Sequence, residues 1–271
     1  MGSKLKGAFR GVFLVVLALF FFVPMLAMAR FSFQSVPVAL LTPDKLLTGW
    51  SIEPLVGALT DSKTWEAARV SFSLAIFAIA LNLILLVPLA IVTEVRAPRL
   101  RPLLVTFTLL PWVVPPIALV VGVAATFRLA VPWFLASVYS LVPFYALWAM
   151  PFTYRALDAG LRAINAKTLY EAARVSGASL LVVIFRVLLP NMRASITAAA
   201  ALTTALVLGE FAFASLLLKN TLPTYLVVYQ GSDPRGGLAL ALVVLVLTAL
   251  VVWVLIRSLR SRGLRIQAVG V

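Results

Sequence analysis

The sequence predicts an all-α membrane protein, a polytopic bundle of six transmembrane helices with one long cytoplasmic loop. Of its 271 residues, 63% are hydrophobic and only 12% are charged, whereas soluble domains are about half apolar and about a quarter charged. Apolar segments of about 20 residues, the length that crosses a hydrocarbon core of about 30 Å, recur along the chain. The gaps between them are too short for a soluble domain, so we expect residues 1–271 to form a single transmembrane domain.

The predicted spans are apolar runs bounded by charged or turn-forming residues. The first run follows Lys4, Lys6 and Arg10, as in a signal peptide, but it is longer than one and has no small-residue cleavage site, so we expect it to stay as an anchor. By hydropathy and length, the six spans cover about 11 to 29, 70 to 92, 103 to 126, 132 to 153, 195 to 218 and 238 to 256.

Orientation follows from the connections, because loops rich in Lys and Arg stay in the cytoplasm. With the N-terminus inside, the outer connections, including a long one over about 30–69, hold only seven of the 23 basic residues. We therefore predict a multi-pass inner-membrane protein with both termini cytoplasmic. The inner basic residues are Lys4, Lys6, Arg10, Arg96, Arg99, Arg101, Arg155, Arg162, Lys167, Arg174, Arg186, Arg193, Arg257, Arg260, Arg262 and Arg265.

The composition also excludes several kinds of catalytic and metal site. The chain contains no Cys and no His, so thiol nucleophiles, imidazole bases and the usual zinc ligand sets are excluded. Few acidic residues lie in the apolar spans, so an intramembrane enzyme has no catalytic set. The net charge of +14 belongs to residues beside membrane spans and not to a separate basic domain, so we expect membrane lipid and not nucleic acid as a partner.

The long inner connection, residues 155–193, mixes charged and apolar residues at helical spacing and predicts short amphipathic helices. Asn165 and Thr168 are candidate N-caps, and Glu171 lies three residues past Thr168, as in a capping box. Gly177 permits a turn that other residues resist. From periodicity alone, this segment is equally compatible with a cytoplasmic hairpin that binds no partner.

The stretch EAARVSGASLLVVIFRVLLP, Glu171 to Pro190, resembles the cytoplasmic signature of ABC importer permeases: E-A-A, three residues, G, nine residues, usually I, one residue, L-P. Val187 stands where Ile is usual. The resemblance implies a coupling helix that docks on a separate ATPase subunit. The residues implied in that coupling are Glu171, Ala172, Ala173, Gly177, Ala178, Ser179, Leu189 and Pro190.

Two features in the membrane interior are candidates for the translocation pathway. Pro115 and Pro116 must interrupt the third span, either as a packing kink or as a broken helix that faces the pathway. Glu210 is the one acidic residue well inside an apolar span, and Thr203 precedes it by seven residues on nearly the same helix face. Glu210 either contacts a positive solute or has a structural role, with Arg128 as a possible ionic partner.

The chain has no G-x-x-x-x-G-K-[ST] phosphate loop, so we expect it to bind no cofactor and its partner ATPase to bind ATP and Mg²⁺. It is most similar to the spermidine/putrescine branch of importer permeases, which implies two ATPase subunits, a second and different permease chain, and an outer solute-binding protein. A polyamine-like cation is the favoured solute. Alternatives are a phosphonate, iron, thiamine or sugar permease of the same family, or a self-contained channel or secondary transporter.

Overall fold

The computed structural model describes residues 2–37, 40–45 and 48–260, and the side chains of those ranges from residue 9 to residue 257. Every regular element in this part of the chain is helical, apart from one isolated β-bridge between Gln34 and Trp50. The predicted all-α class is therefore confirmed. The predicted basic residues Arg262 and Arg265 lie outside the described residues, and the cytoplasmic placement of both termini stays a prediction.

Counting Leu180–Asn191 as one helix and leaving out three 3₁₀ turns, thirteen helices are described within these ranges, and the four longest have 23 to 34 residues. Several of the others begin with proline in the first turn, where its missing N–H costs no helical hydrogen bond. In chain order they are α1 Gly2–Ser32, α2 Glu53–Thr60, α3 Ser62–Val95, α4 Arg101–Val113, α5 Pro116–Ala130, α6 Pro132–Ala136, α7 Leu141–Ala163, α8 Ala166–Val175, α9 Leu180–Asn191, α10 Arg193–Leu208, α11 Ala212–Leu216, α12 Leu222–Ser232 and α13 Pro234–Arg260.

Three continuous helices are long and apolar enough to cross a membrane: Phe9–Ser32, Ser62–Val95 and Pro234–Arg257. They correspond to the first, second and sixth predicted spans. The second begins at Ser62 and not near 70, so the predicted outer connection is shorter than its sequence suggested. Helix α1 exposes apolar side chains all round, as a lipid-facing helix does.

Two further pairs of helices are apolar and long enough to cross a membrane only if each bent pair counts as one span. The segments Pro98–Val113 and Pro116–Ala130 meet at 89°, and Leu180–Asn191 meets Arg193–Leu208 at 70°. The first bend confirms the predicted break in the third span, where Pro115 has extended backbone angles and cannot donate a helical hydrogen bond. The predicted span over 195–218 ends earlier than expected, because α10 stops at Leu208.

The predicted start of the fourth span, residue 132, is wrong, because the long helix begins at Leu141. Residues 132 to 136 form the separate short helix α6, and Ser137 then accepts a hydrogen bond from the Tyr139 amide and starts a 3₁₀ turn. The long helix is α7, whose 23 residues rise about 35 Å. Its second half carries charged residues, so length and apolarity alone identify three spans, or five with the bent pairs.

The chain divides into two compact units. One comprises residues 1–65 and 225–246. In it, the Arg30 guanidinium lies 4.2 Å from the Trp50 ring centroid and donates to the Thr48 carbonyl at 2.6 Å, which fastens the connection after α1. At the start of α3, the Tyr225 hydroxyl donates a hydrogen bond to the Asp61 carboxylate. Whether the whole chain acts as one domain stays a prediction.

The other unit comprises residues 66–224 and 247–271 and contains two apolar clusters. In the first, side chains of α3 pack on α7, α8 and α9; its buried members are Leu86, Val87, Ala90, Ile91, Tyr154, Leu157, Leu161, Ala166, Val183, Leu188, Met192 and Ala199. In the second, α3, α5, α7, α10 and α11 meet around Leu74, Ala75, Ala78, Val120, Leu141, Phe144, Tyr145, Val207, Phe213 and Ala214. Close approach of α7 and α10 requires Gly160, because a Cβ there would overlap the Ser195 side chain.

Candidate functional site

The helix that carries the start of the signature stretch, α8, follows a tight joint with α7. Asn165 lies at the N-cap of α8 as predicted, but it has φ 49° and its side chain makes no capping hydrogen bond. Thr168 lies inside α8, so the predicted Thr168 to Glu171 capping box is wrong. The left-handed backbone at Asn165 starts the helix three residues earlier than a Thr168 cap would. Glu171 instead lies 4.0 Å from Lys167, its i−4 neighbour.

Helix α8 ends in a glycine turn of the Schellman type. Gly177 has φ 82°, the Ala178 amide donates to the Ala173 carbonyl at 3.1 Å, and the Gly177 amide donates to Arg174 at 3.0 Å. The Ser179 hydroxyl then accepts from the Val182 amide at 3.4 Å and caps α9. Because the positive φ favours glycine strongly over other residues, the predicted turn at Gly177 is confirmed.

Helices α8 and α9 form a hairpin, and the predicted coupling residues lie mostly on its surface. Glu171, Ala172, Gly177, Ser179 and Pro190 are exposed, and the other three, Ala173, Ala178 and Leu189, are half-buried. Apolar side chains beside them are also open to solvent: Val175 is 89% exposed and Phe185 is 64% exposed. Where such side chains form a contiguous patch, they mark a surface that binds another protein or the membrane.

A charged cluster behind the hairpin was not predicted. Asp158 of α7 is buried and accepts hydrogen bonds from Arg101 and, at 2.7 Å, from Arg162. Glu94 lies 3.9 Å from Arg101. Asp158 and Arg162 have i, i+4 spacing, which would have indicated one of these ion pairs. Arg101 is 57 residues away from Asp158 in the chain, and no sequence pattern joins them.

The predicted pathway residues do not come together on one face. Pro115 is exposed and Pro116 is half-buried at the 89° bend. Thr203 is buried and shares a hydrogen bond of 3.0 Å with Thr153 of α7. Because α10 ends at Leu208, Glu210 lies beyond the helix that carries Thr203, and the predicted polar stripe of these two residues is wrong.

Glu210 occupies the break between α10 and α11. It is 8% exposed, and its Oε1 accepts from the Phe213 amide at 2.9 Å. Its Oε2 and the hydroxyl of Tyr145 are buried and lie close to each other, but neither has the geometry of a full hydrogen bond to any residue that the structure describes. No ion pair within residues 48–257 joins Glu210 to Arg128, which is exposed at the end of α5. Glu210 is therefore buried, with one carboxylate oxygen bonded to the Phe213 amide and the other beside the Tyr145 hydroxyl.

Comparison with protein families identifies the family of this chain. The family described as "Binding-protein-dependent transport system inner membrane component" matches residues 86–260, which include the signature hairpin and Glu210. The chain belongs to this family. It is therefore a multi-pass inner-membrane permease of an ABC importer and not an enzyme, and its family implies ATPase subunits and a binding protein as partners.

A solved structure has the same fold. It is titled "Crystal structure of a bacterial ABC transporter involved in the import of the acidic polysaccharide alginate", and one of its chains is similar to the permease with a TM-score of 0.68 at 16% identity. The match covers 95% of the permease and 97% of that chain. No curated protein matches the permease sequence.

Proposed function

We propose that the permease forms half of a translocation pathway, together with a second and different permease chain, two ATPase subunits and an outer solute-binding protein. The observation that carries this proposal is the exposed hairpin of α8 and α9, turned at Gly177 and backed by a buried apolar cluster. A rigid, exposed hairpin suits a docking site for another subunit. ATP and Mg²⁺ bind to the ATPase subunits in this proposal.

Docking would involve the eight signature residues. Glu171, with 61% of its side chain exposed, is accessible to a basic partner group. The small side chains of Ala172 and Ala173 allow close approach of a partner surface. The remaining members are Gly177, Ala178, Ser179, Leu189 and Pro190. A push on this hairpin would be transmitted to α7 and α10, as in the rigid-body switching of transporters.

Within the pathway, we propose that Glu210 favours a cationic solute of the polyamine type. Its support is the buried Oε2, which has no partner among the described residues, since a buried carboxylate is costly without compensating charge or hydrogen bonds. Pro115 and Pro116 would shape the pathway at the bend of α4 and α5, and Thr203 would fix α10 against α7. Phosphonate, iron, thiamine and sugar remain the alternative solutes.

The proposed assembly is tested by purifying the permease together with the products of the genes beside its own. We expect the native mass of the complex to contain two permease chains, two ATPase chains and no further membrane subunit. In vesicles that contain binding protein and ATP, we expect uptake of labelled spermidine. Uptake by the permease alone, without ATPase chains, would instead support a self-contained channel or secondary transporter.

A further inference from the structure

The turn between α3 and α4 contacts both sides of the joint that precedes the signature hairpin. We name residues 94–101 the bracket. At one end of the bracket, Arg101 donates a hydrogen bond to Asp158 of α7. At the other end, Arg96 Nη2 donates to the hydroxyl of Tyr170 of α8 at 3.0 Å. The bracket therefore spans the joint between α7 and α8.

The α7–α8 joint is short, and its own residues do little to fix the angle between the two helices. Only Ile164 and Asn165 separate the two helices, and Asn165 takes a left-handed conformation with no side-chain cap. A few residues at the end of a helix are sufficient for a hinge when their φ and ψ change. Contacts on both sides of a hinge to a third element prevent rotation about it, because any change of angle must break one of them.

The α7 side of the bracket is held by charge. The Asp158 side chain is only 10% exposed, and it is bonded by two guanidinium groups, Arg101 from the bracket and Arg162 from its own helix. Low exposure limits solvent screening of this cluster. Glu94, at the start of the bracket, lies 3.9 Å from Arg101 and places a second carboxylate beside the shared guanidinium.

The α8 side is held by a hydrogen bond and a ring contact. The Arg96 guanidinium donates to the Tyr170 hydroxyl and also lies 5.9 Å from the centroid of the Tyr170 ring. Apolar packing continues the contact beneath the surface, where the buried Ala166 of α8 belongs to the same cluster as Ile91 of α3. Helix α8 is thus joined to the end of α3 as well as to α7.

We propose that Arg96, Tyr170, Arg101 and Asp158 are positioning residues that lock the α7–α8 joint to the α3–α4 turn. Motion of α8 would then reach the broken span α4–α5 directly through the bracket, and the joint would not absorb it. This inference rests on the proposed docking of the α8–α9 hairpin on an ATPase subunit. It adds a second path, through α3 and α4, to the covalent connections of the hairpin.

Transport stoichiometry in the reconstituted complex provides the first test. Tyr170→Phe and Arg96→Gln should each raise the number of ATP molecules hydrolysed per solute imported, by about two- to fivefold, as expected for an exposed polar contact. Tyr170→Glu retains an acceptor for Arg96 and should restore coupling, but not when combined with Arg96→Gln. Arg155→Gln, an exposed arginine on α7, is the matched control and should leave the ratio unchanged. Unaltered ratios in both Tyr170→Phe and Arg96→Gln would overturn the proposal.

Distance measurement provides the second test. Because the permease has no native cysteine, it can be labelled specifically before it is combined with its partner subunits. Spin labels at Arg99→Cys and Thr168→Cys report on the bracket and α8. With the bracket intact, their separation should be the same with and without ATP, whereas Arg96→Gln with Tyr170→Phe should make it nucleotide-dependent. A nucleotide-dependent distance with the intact bracket would overturn the proposal. Failure of ATP-driven uptake in the unsubstituted complex would count against the proposed function instead.

Discussion

The Oε1 atom of Glu210 accepts a hydrogen bond from the backbone N–H of Phe213 at 2.9 Å. This contact caps the first turn of α11, which follows the break after Gly209, and it satisfies an amide that the interrupted helix leaves without a carbonyl partner. The other carboxylate oxygen, Oε2, is buried beside the Tyr145 hydroxyl. One side chain therefore combines a structural contact with an uncommitted polar atom.

Substitution of Glu210 separates these two roles. Glu210→Gln keeps the acceptor for Phe213 but removes the charge, so we expect normal assembly and about a ten- to hundredfold loss of cation uptake, since hydrogen bonds to charged groups contribute about 1.5–3 kcal/mol. Glu210→Ala removes the cap as well and should destabilise the permease by about 1 kcal/mol. Uptake assays and thermal unfolding measure the two effects. If Glu210→Gln transports normally, Glu210 has only the structural role and the preference for a cation is lost.

The turn at Gly177 depends on backbone conformation and not on space. A Cβ at this position would meet no atom within 4 Å, but its φ is 82°. Asn adopts left-handed angles at low cost, whereas Pro is restricted to φ near −65°. We expect Gly177→Asn to keep ATP hydrolysis coupled to uptake and Gly177→Pro to uncouple them while the protein remains in the membrane. Equal coupling in the two variants would show that the turn does not matter for transport.

Two tryptophans hold the end of α4, just before its bend to α5, against α7. The rings of Trp112 and Trp148 stack with centroids 4.1 Å apart, and Trp112 Nε1 donates to the Trp148 carbonyl at 2.8 Å. Trp112→Phe retains an aromatic ring but removes the donor, so it should cost about 1 kcal/mol and lower the melting temperature by about 2–4 °C. The control is Trp133→Phe, at an exposed ring, which should leave melting unchanged. An equal shift in both variants would argue against this contact.

The contact between Asp61 and Tyr225 predicts a pH dependence. Burial raises the pKa of the Asp61 carboxyl, but hydrogen bonds from Tyr225, Lys63 and Thr64 outweigh it and hold this pKa below its ordinary value of 3.8. Burial and the neighbouring Asp61 raise the pKa of Tyr225 from 10.0 to about 12. The pair therefore stabilises the fold fully between these ordinary values. Its contribution is lost as pH falls through the lowered Asp61 pKa or rises through about 12.

Tyr225→Phe measures this contribution. The melting temperature should fall relative to the unsubstituted permease at neutral pH, and the difference should shrink below about pH 4 and above about pH 10. Tyr229→Phe, which changes a neighbouring tyrosine on α12, is the control for the acidic range and should show no such convergence there. A difference that stays constant from pH 3 to pH 7 would contradict the assigned contact.

Membrane orientation is tested with single cysteines, because the chain has none of its own. Arg193→Cys lies in the predicted inner connection and Lys63→Cys in the predicted outer one, and both positions are exposed. An impermeant thiol reagent should label Lys63→Cys in intact cells and Arg193→Cys only after permeabilisation. The reverse pattern would invert the topology and remove the hairpin from the ATPase side.

Local chemistry in the sequence predicted several features correctly. Long apolar runs predicted α1, α3 and α13, since about 20 apolar residues are sufficient to span a bilayer whatever their neighbours. Pro115 predicted the break before α5, because proline removes a backbone donor at its own position. Gly177 predicted the turn after α8 for an equally local reason, its tolerance of positive φ.

Tertiary structure decided what depends on distant partners. The end of α10 at Leu208 separates Glu210 from Thr203, and the left-handed Asn165 moves the start of α8 away from Thr168. Asp158 meets Arg101 across 57 residues of sequence. The sequence by itself therefore determined the membrane class, the spans with strong hydropathy and the signature hairpin, because those follow from the residues in place. Helix ends and ion pairs were decided only by the fold, since packing energy at a contact depends on which distant side chains the chain brings together.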